Sequence, residues 1–199
     1  MIRIWIKQVL DIFINFFWIN EDSLKDFPEA KTFFKENWII SLYKYKNPIV
    51  KNSIWQIKYR ANKDVAWFLG KKMTEIIIKN NLEDYILVPV PIHWRRRVER
   101  GFNQSEWLCQ AIVKNNKIKY EKVLKRVVYS KKQSWNNKSS RQRNVKSVFK
   151  IRNNFLSKIS DQKFLIIDDV VTTGATLKEA RQELLIQGAI SVKALTVAF

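Results

Sequence analysis

Two adjacent carboxylates, Asp168 and Asp169, stand between a short apolar run and a hydroxyl-rich turn, and no other stretch of the chain carries as much chemistry. Residues 164–167 are unbroken hydrophobics, as a strand buried on both faces of a parallel sheet requires. After Val170 and Val171 come Thr172, Thr173, Gly174, Ala175 and Thr176, and then Leu177, Ala180, Leu184 and Leu185 at helical spacing, ending at Gly188. The expected unit is strand, acid pair where the strand leaves the sheet, turn, helix. A turn of this kind exposes backbone N–H groups that lack an intrahelical partner, at the positive end of a helix dipole. Such a turn seats phosphate, with threonine hydroxyls as further donors and Gly174 allowing close backbone approach. Carboxylates only accept hydrogen bonds, which suits them to grip vicinal hydroxyls. A diol binder beside a phosphate binder describes a ribose 5-phosphate site. The two acids alone also fit a phospho-acceptor or metal pocket, or a solvated strand end.

The second chemical stretch is arginine-rich. Residues 85–90 read as a buried strand, and after it come Pro91, Ile92, His93, Trp94, Arg95, Arg96, Arg97, Val98, Glu99, Arg100, Gly101, Phe102, Asn103 and Gln104. Pro91 and Gly101 bracket a loop, and Asn103 can cap the helix carrying Trp107, Leu108, Ala111 and Ile112. Seven of the 11 arginines lie between positions 95 and 143. Planar guanidinium groups bind phosphates bidentately without titrating, so this clustering points to a polyanion. A plain nucleic-acid patch would read the same way.

The stretch IIDDVVTTGAT resembles the phosphoribosyl pyrophosphate (PRPP) loop of type I phosphoribosyltransferases. PVPIHWRRRVERGFNQ and the RQRN segment at 141–144 resemble the ComF/GntX branch, as does the Lys58–Tyr59 pair that precedes the helix expected over 64–79. The resemblance runs from about residue 41 to the C-terminus. It implies an α/β fold, a mostly parallel sheet flanked by helices, with the site at the carboxyl edge of the strands. It also implies PRPP as ligand and magnesium as cofactor, with Mg²⁺ held through PRPP and at most by Asp168 and Asp169. Asp168, Asp169 and Arg141 would be catalytic. Thr172, Thr173, Gly174, Ala175 and Thr176 would hold the 5-phosphate, and Arg96, Arg100, Asn103 and Gln104 the pyrophosphate side. Strands over 123–128 and 145–151, joined by a basic loop, suit the hood that closes over such a site, where Gln133, Arg141, Arg143, Asn144 and Phe149 match the family pattern. Members of this family commonly carry an N-terminal zinc ribbon, whereas residues 1–45 contain no cysteine. Zinc is therefore not expected.

Composition sets the outer bounds. The 199 residues suit one domain, 46–199, preceded by an aromatic-rich helical extension, 1–45. The formal charge of +19 favours anionic partners, although lysines scattered among Asn and Ile also arise from nucleotide bias. Charge, clustered arginines and aromatics together make single-stranded DNA the alternative partner, and the resemblance to competence proteins implies the same. The one Cys excludes an intrachain disulfide and fits a cytoplasmic location. The one His, His93, excludes a multi-histidine metal site and is read as loop packing. Neither a Walker loop nor a GxGxxG fingerprint is present. Residues 2–19 are apolar, but Arg3, Lys7, Asp11 and Asn15 form a polar stripe, so an amphipathic helix is expected. The apolar surface of this N-terminal region would be covered first by packing on the main domain, or else by a partner or a membrane surface, and the helix would not span. No small-residue cleavage site follows it, which argues against a secretory signal.

Overall fold

The computed structural model describes residues 26–114, 116–127 and 148–199. Its centre is β6 (Lys163–Val170), flanked by β7 (Ser191–Ala198) and β3 (Ile86–Pro89), both parallel to it. Outside β7 lies β2 (Ile39–Tyr43), also parallel, and β1 (Phe33–Glu36) closes the sheet antiparallel to β2. The sheet order is therefore β1-β2-β7-β6-β3. Central position explains the composition of β6, whose Phe164, Leu165, Ile166 and Ile167 are buried on one face or the other. This is the mostly parallel α/β sheet that the sequence indicates.

Helices cover both faces. α1 (Pro48–Arg60), α2 (Lys63–Lys79) and α4 (Gln104–Val113) bury Ile54, Leu69, Met73 and Leu108 against Leu165, Ile167 and Leu195. On the other face α5 (Ala175–Ile186) and the two-stranded β4 (Leu124–Arg126) and β5 (Phe149–Ile151) enclose Phe164, Ile166, Leu177 and Phe149. A short α3 (Trp94–Arg100) joins β3 to α4, and a 3-10 turn (Asn153–Lys158) leads towards β6. Local chemistry sets the helix starts: Asn47 accepts from Ile49 N–H and Val50 N–H ahead of Pro48, and Asn62 accepts from Val65 N–H.

The helical reading of residues 1–45 does not hold where the chain is described, because 33–36 and 39–43 are strands. Every residue of β2 is buried, Ser41 included, and so short a buried run carries no period that tells strand from helix. Backbone pairing with β7 decides the matter, since a buried segment beside an open edge satisfies its N–H and C=O groups there. Residues 1–25, including the expected amphipathic helix, lie outside the described residues. The expected strands shorten to Leu124–Arg126 and Phe149–Ile151, and residues 128–147 between them, with Gln133, Arg141, Arg143 and Asn144, lie outside too.

The tightest helix contact depends on a missing side chain. A Cβ added to Gly70 on α2 would stand 2.3 Å from the Ala111 Cβ on α4, closer than two carbons approach without displacement. Gly70→Ala gains about 1 kcal/mol of helix propensity but meets a packing conflict of about 1–3 kcal/mol, so a net loss of stability is expected in urea unfolding. Adding Ala111→Gly should recover part of that loss. Additive effects of the two substitutions would show that the helices do not approach as described.

Candidate functional site

β6 does not stop at the acid pair. It runs through Asp168 and Asp169 to Val170, with Asp168 opposite Thr196 and Val170 opposite Ala198 on β7. Strand alternation therefore sends the two carboxylates to opposite faces. Asp169 continues the row of Leu165 and Ile167 towards α1, and Asp168 continues that of Phe164 and Ile166 towards α5 and β4–β5. Each carboxylate has its own partner. Lys58 on α1 pairs with Asp169 at 2.7 Å, and the Asp169 side chain is only 6 % exposed. The Ser105 hydroxyl, in the first turn of α4, donates to Asp168 Oδ1 at 3.0 Å, and the Asp169 N–H donates to the same oxygen at 2.9 Å.

Ser105 carries the arginine-bearing segment to the acids. Asn103 caps α4 by accepting from the Ser105 N–H at 3.0 Å while its amide donates to the Val90 carbonyl at 3.0 Å, locking the turn to the end of β3. Beside it Gln104 is buried, and its Oε1 has no hydrogen-bond partner among the described residues. Gly101 ends α3 at φ 77°, a left-handed conformation that favours glycine. Phe102 stacks on Trp107 with ring centroids 3.9 Å apart. The Arg100 guanidinium lies 5.1 Å from the centre of the Tyr59 ring, next to the lysine that holds Asp169. Arg126, at the end of β4, feels the charges of both Arg96 and Asp168. His93 does more than pack: its Nδ1 accepts from the Arg95 N–H and starts α3. Burial and the Arg126, Arg95 and Arg96 charges hold its imidazole below the usual range, so it stays a neutral acceptor.

The hydroxyl-rich turn opens α5 as expected. Gly174 occupies the cap position at φ 80° and has no side chain to cap the helix, the Ala175 N–H donates to Thr173 Oγ1 at 3.4 Å, and Thr172, Thr173, Ala175 and Thr176 face solvent. Two lysines flank the turn: Lys35 on β1 donates to the Thr172 carbonyl, and Lys178 on α5 pairs with Glu36 of β1 at 2.8 Å. Neither stood out in the sequence, because their nearness to Thr172 depends on β1 joining the sheet. Ser105 had a local signal, since it follows the Asn103–Gln104 pair directly. Arg126 and Lys122 had none. Arg141 lies outside the described residues.

Burial, then the neighbouring Asp169 charge, push the Asp168 carboxyl up to about 7, against the opposing pull of the Asp169 N–H, Lys58 and the Ser105 hydroxyl. An unfolded aspartate releases its proton near ~4, so between about pH 4 and pH 7 the folded state holds the extra proton. The Asp168 contribution to stability is thus present at the acid end and is lost as pH rises through about 7. Thermal unfolding between pH 5 and pH 8 should show Asp168→Asn gaining on the parent as pH rises. A constant difference across that range would contradict the raised carboxyl.

Among the described residues no helix is long and apolar enough to cross a membrane. A family profile described as "Phosphoribosyl transferase domain" matches residues 116–199. The DNA utilization protein YhgH of Escherichia coli K12 is 28% identical over 152 residues, covering 73% of this chain and 65% of that protein. Competence protein ComFC of Bacillus subtilis is 28% identical over 159 residues, covering 79% of this chain and 62% of that protein. The chain thus matches just under two thirds of the length of these relatives. A hypoxanthine phosphoribosyltransferase from Staphylococcus aureus aligns over 67% of this chain and 62% of its own, at 15% identity and TM-score 0.41, too distant to carry weight. With an acid pair near the end of the central parallel strand and a glycine turn opening the next helix, the chain is similar to ComF-type competence proteins and, over residues 116–199, to the phosphoribosyl transferase domain.

Proposed function

We propose that the carboxyl edge of the sheet binds PRPP and transfers its ribose 5-phosphate to an acceptor, releasing pyrophosphate. The observation that carries this reading is continuity: β6 delivers two carboxylates and, within a few residues, the Gly174 turn and the start of α5, while the Ser105 hydroxyl ties the arginine-bearing segment to Asp168. Asp168 and Asp169 hold the ribose hydroxyls and offset positive charge that develops at the anomeric carbon. Backbone N–H groups of residues 172–176 hold the 5-phosphate at the positive end of α5. Arg96 and Arg100 receive the pyrophosphate, with Asn103 and Gln104 shaping the turn below. The bond from the anomeric carbon to the pyrophosphate oxygen breaks with its electrons going to the leaving group, and an acceptor lone pair forms the new bond.

Among the described residues no group of three or more His, Cys, Asp or Glu is placed to hold a metal, and the acid pair is engaged by Ser105 and Lys58. This donor set fits a Mg²⁺ that arrives on the PRPP phosphates, where few protein ligands are needed. The ion would neutralise charge on the leaving pyrophosphate, with Asp168 and Asp169 as the carboxylates available to it.

Calorimetric titration with PRPP and Mg²⁺ checks the assignment. The parent should bind saturably, and Asp168→Asn with Asp169→Asn should weaken binding by about tenfold or more. Unchanged affinity in the double variant sinks it.

Single-stranded DNA is the second reading, supported by the net charge of +19 and by relatives named for competence and DNA utilization. Affinity for an oligonucleotide measured against salt should give a steep negative log–log slope if the cationic surface tracks the backbone. A flat, weak response removes this reading.

A further inference from the structure

Two carboxylates set beside a polyanion repel it, and burial leaves that repulsion only partly screened. On one face of β6 the answer is Lys58. Its ammonium pairs with Asp169 Oδ2 at 2.7 Å, the lysine side chain being 23% exposed and the aspartate 6%. The other oxygen, Oδ1, accepts from the Val170 N–H at 2.9 Å, so the carboxylate is fixed from both sides and fixes the ammonium in turn. An ammonium carries three N–H donors, and Asp169 is its one partner among the described residues. Two donors therefore remain on a part-exposed head whose position is set by a buried acid.

The surrounding elements decide which part of a ligand those donors meet. Lys58 lies in the last turn of α1, and α1 packs on the face of the sheet opposite α5. The turn that opens α5 is approached instead by Lys35 of β1, which donates to the Thr172 carbonyl. Tyr59, the next residue after Lys58, lies 5.1 Å from the Arg100 guanidinium and is 62% exposed. The end of α1 thus brings Lys58 to the arginine-bearing segment and keeps it from the turn that suits the 5-phosphate.

We propose that the Lys58 ammonium, held in place by Asp169, is a pyrophosphate ligand and selects PRPP over ribose 5-phosphate. The inference rests on the proposed function and adds to it a residue and a specificity. Asp169 serves both partners at once: an ionised carboxylate oxygen accepts from more than one direction, so a ribose hydroxyl does not require Lys58 to leave. With Lys58 in place the Asp169 charge is offset, and a further cation faces the leaving group beside Arg100. Ribose 5-phosphate offers the same diol and the same 5-phosphate, but it lacks the group that these donors meet.

PRPP and ribose 5-phosphate are each titrated with Mg²⁺ into the full chain and its variants by calorimetry. Lys58→Gln should weaken PRPP by about tenfold, as loss of a charge-assisted contact predicts, and ribose 5-phosphate by less than about twofold. Removing one partner of a buried ion pair leaves the other uncompensated and can prevent folding, so Lys58→Gln combined with Asp169→Asn is the second variant. There both sugars lose a diol contact, yet the ratio of their dissociation constants should still narrow by about tenfold. Magnesium pyrophosphate titrated alone should weaken by a similar factor in both variants. Lys51→Gln, the same charge change at an exposed residue of the same helix, should move none of the three ligands. Equal weakening of both sugars by Lys58→Gln, or an unchanged ratio in either folded variant, would overturn the assignment. The failures are distinguishable. A parent that binds neither sugar defeats the transferase reading and Lys58 with it, whereas PRPP binding with its preference intact in the folded variants defeats only Lys58.

Discussion

Two carboxylates at neighbouring positions of one buried strand repel each other, and the arrangement of the site follows from how the fold tolerates them. Alternation along β6 points them to opposite faces, and each is then met by a different element. Lys58 from α1 neutralises Asp169, while Asp168 receives only a hydroxyl and a backbone N–H and so carries the raised affinity for a proton. Asymmetry of this kind leaves one acid paired with a cation and its neighbour with a carboxyl pushed up to about 7. It is costly to stability, and a buried feature that costs stability without packing benefit points to function.

The same edge gathers the other groups because parallel strands all end there. β3 releases the chain into α3 and the Asn103 turn, and β6 releases it into the Gly174 turn. Neither turn is held by apolar packing alone. Asn103 fixes the first through Val90 and Ser105, and Lys35 from β1 holds the second at the Thr172 carbonyl. The edge strand β1 thus contributes to the site as well as closing the sheet.

Much of this was legible from local pattern. The β6 strand, the acid pair, the glycine turn and α5 form one contiguous word, and each part depends on residues within a few positions of it. The Asn103 cap was legible for the same reason. The sequence misled at residues 39–43, where a short buried run has no period of its own and a partner more than 150 residues away decides its state. The pairing of Lys58 with Asp169 and the approach of Arg126 to Asp168 also span long separations, and neither residue type nor spacing announces them. The sheet was readable because burial patterns are local.

The account stands on one phosphoribosyl ligand lying across two turns at one edge of the sheet. Backbone amide chemical shifts of isotope-labelled protein, followed during titration with PRPP and Mg²⁺, test that most directly. The account predicts saturable shifts that are largest in residues 168–177 and 95–105 and that share one dissociation constant. Saturable shifts confined to the opposite edge, around Tyr85 and Ser191, or none at all at residues 168–177, would contradict it.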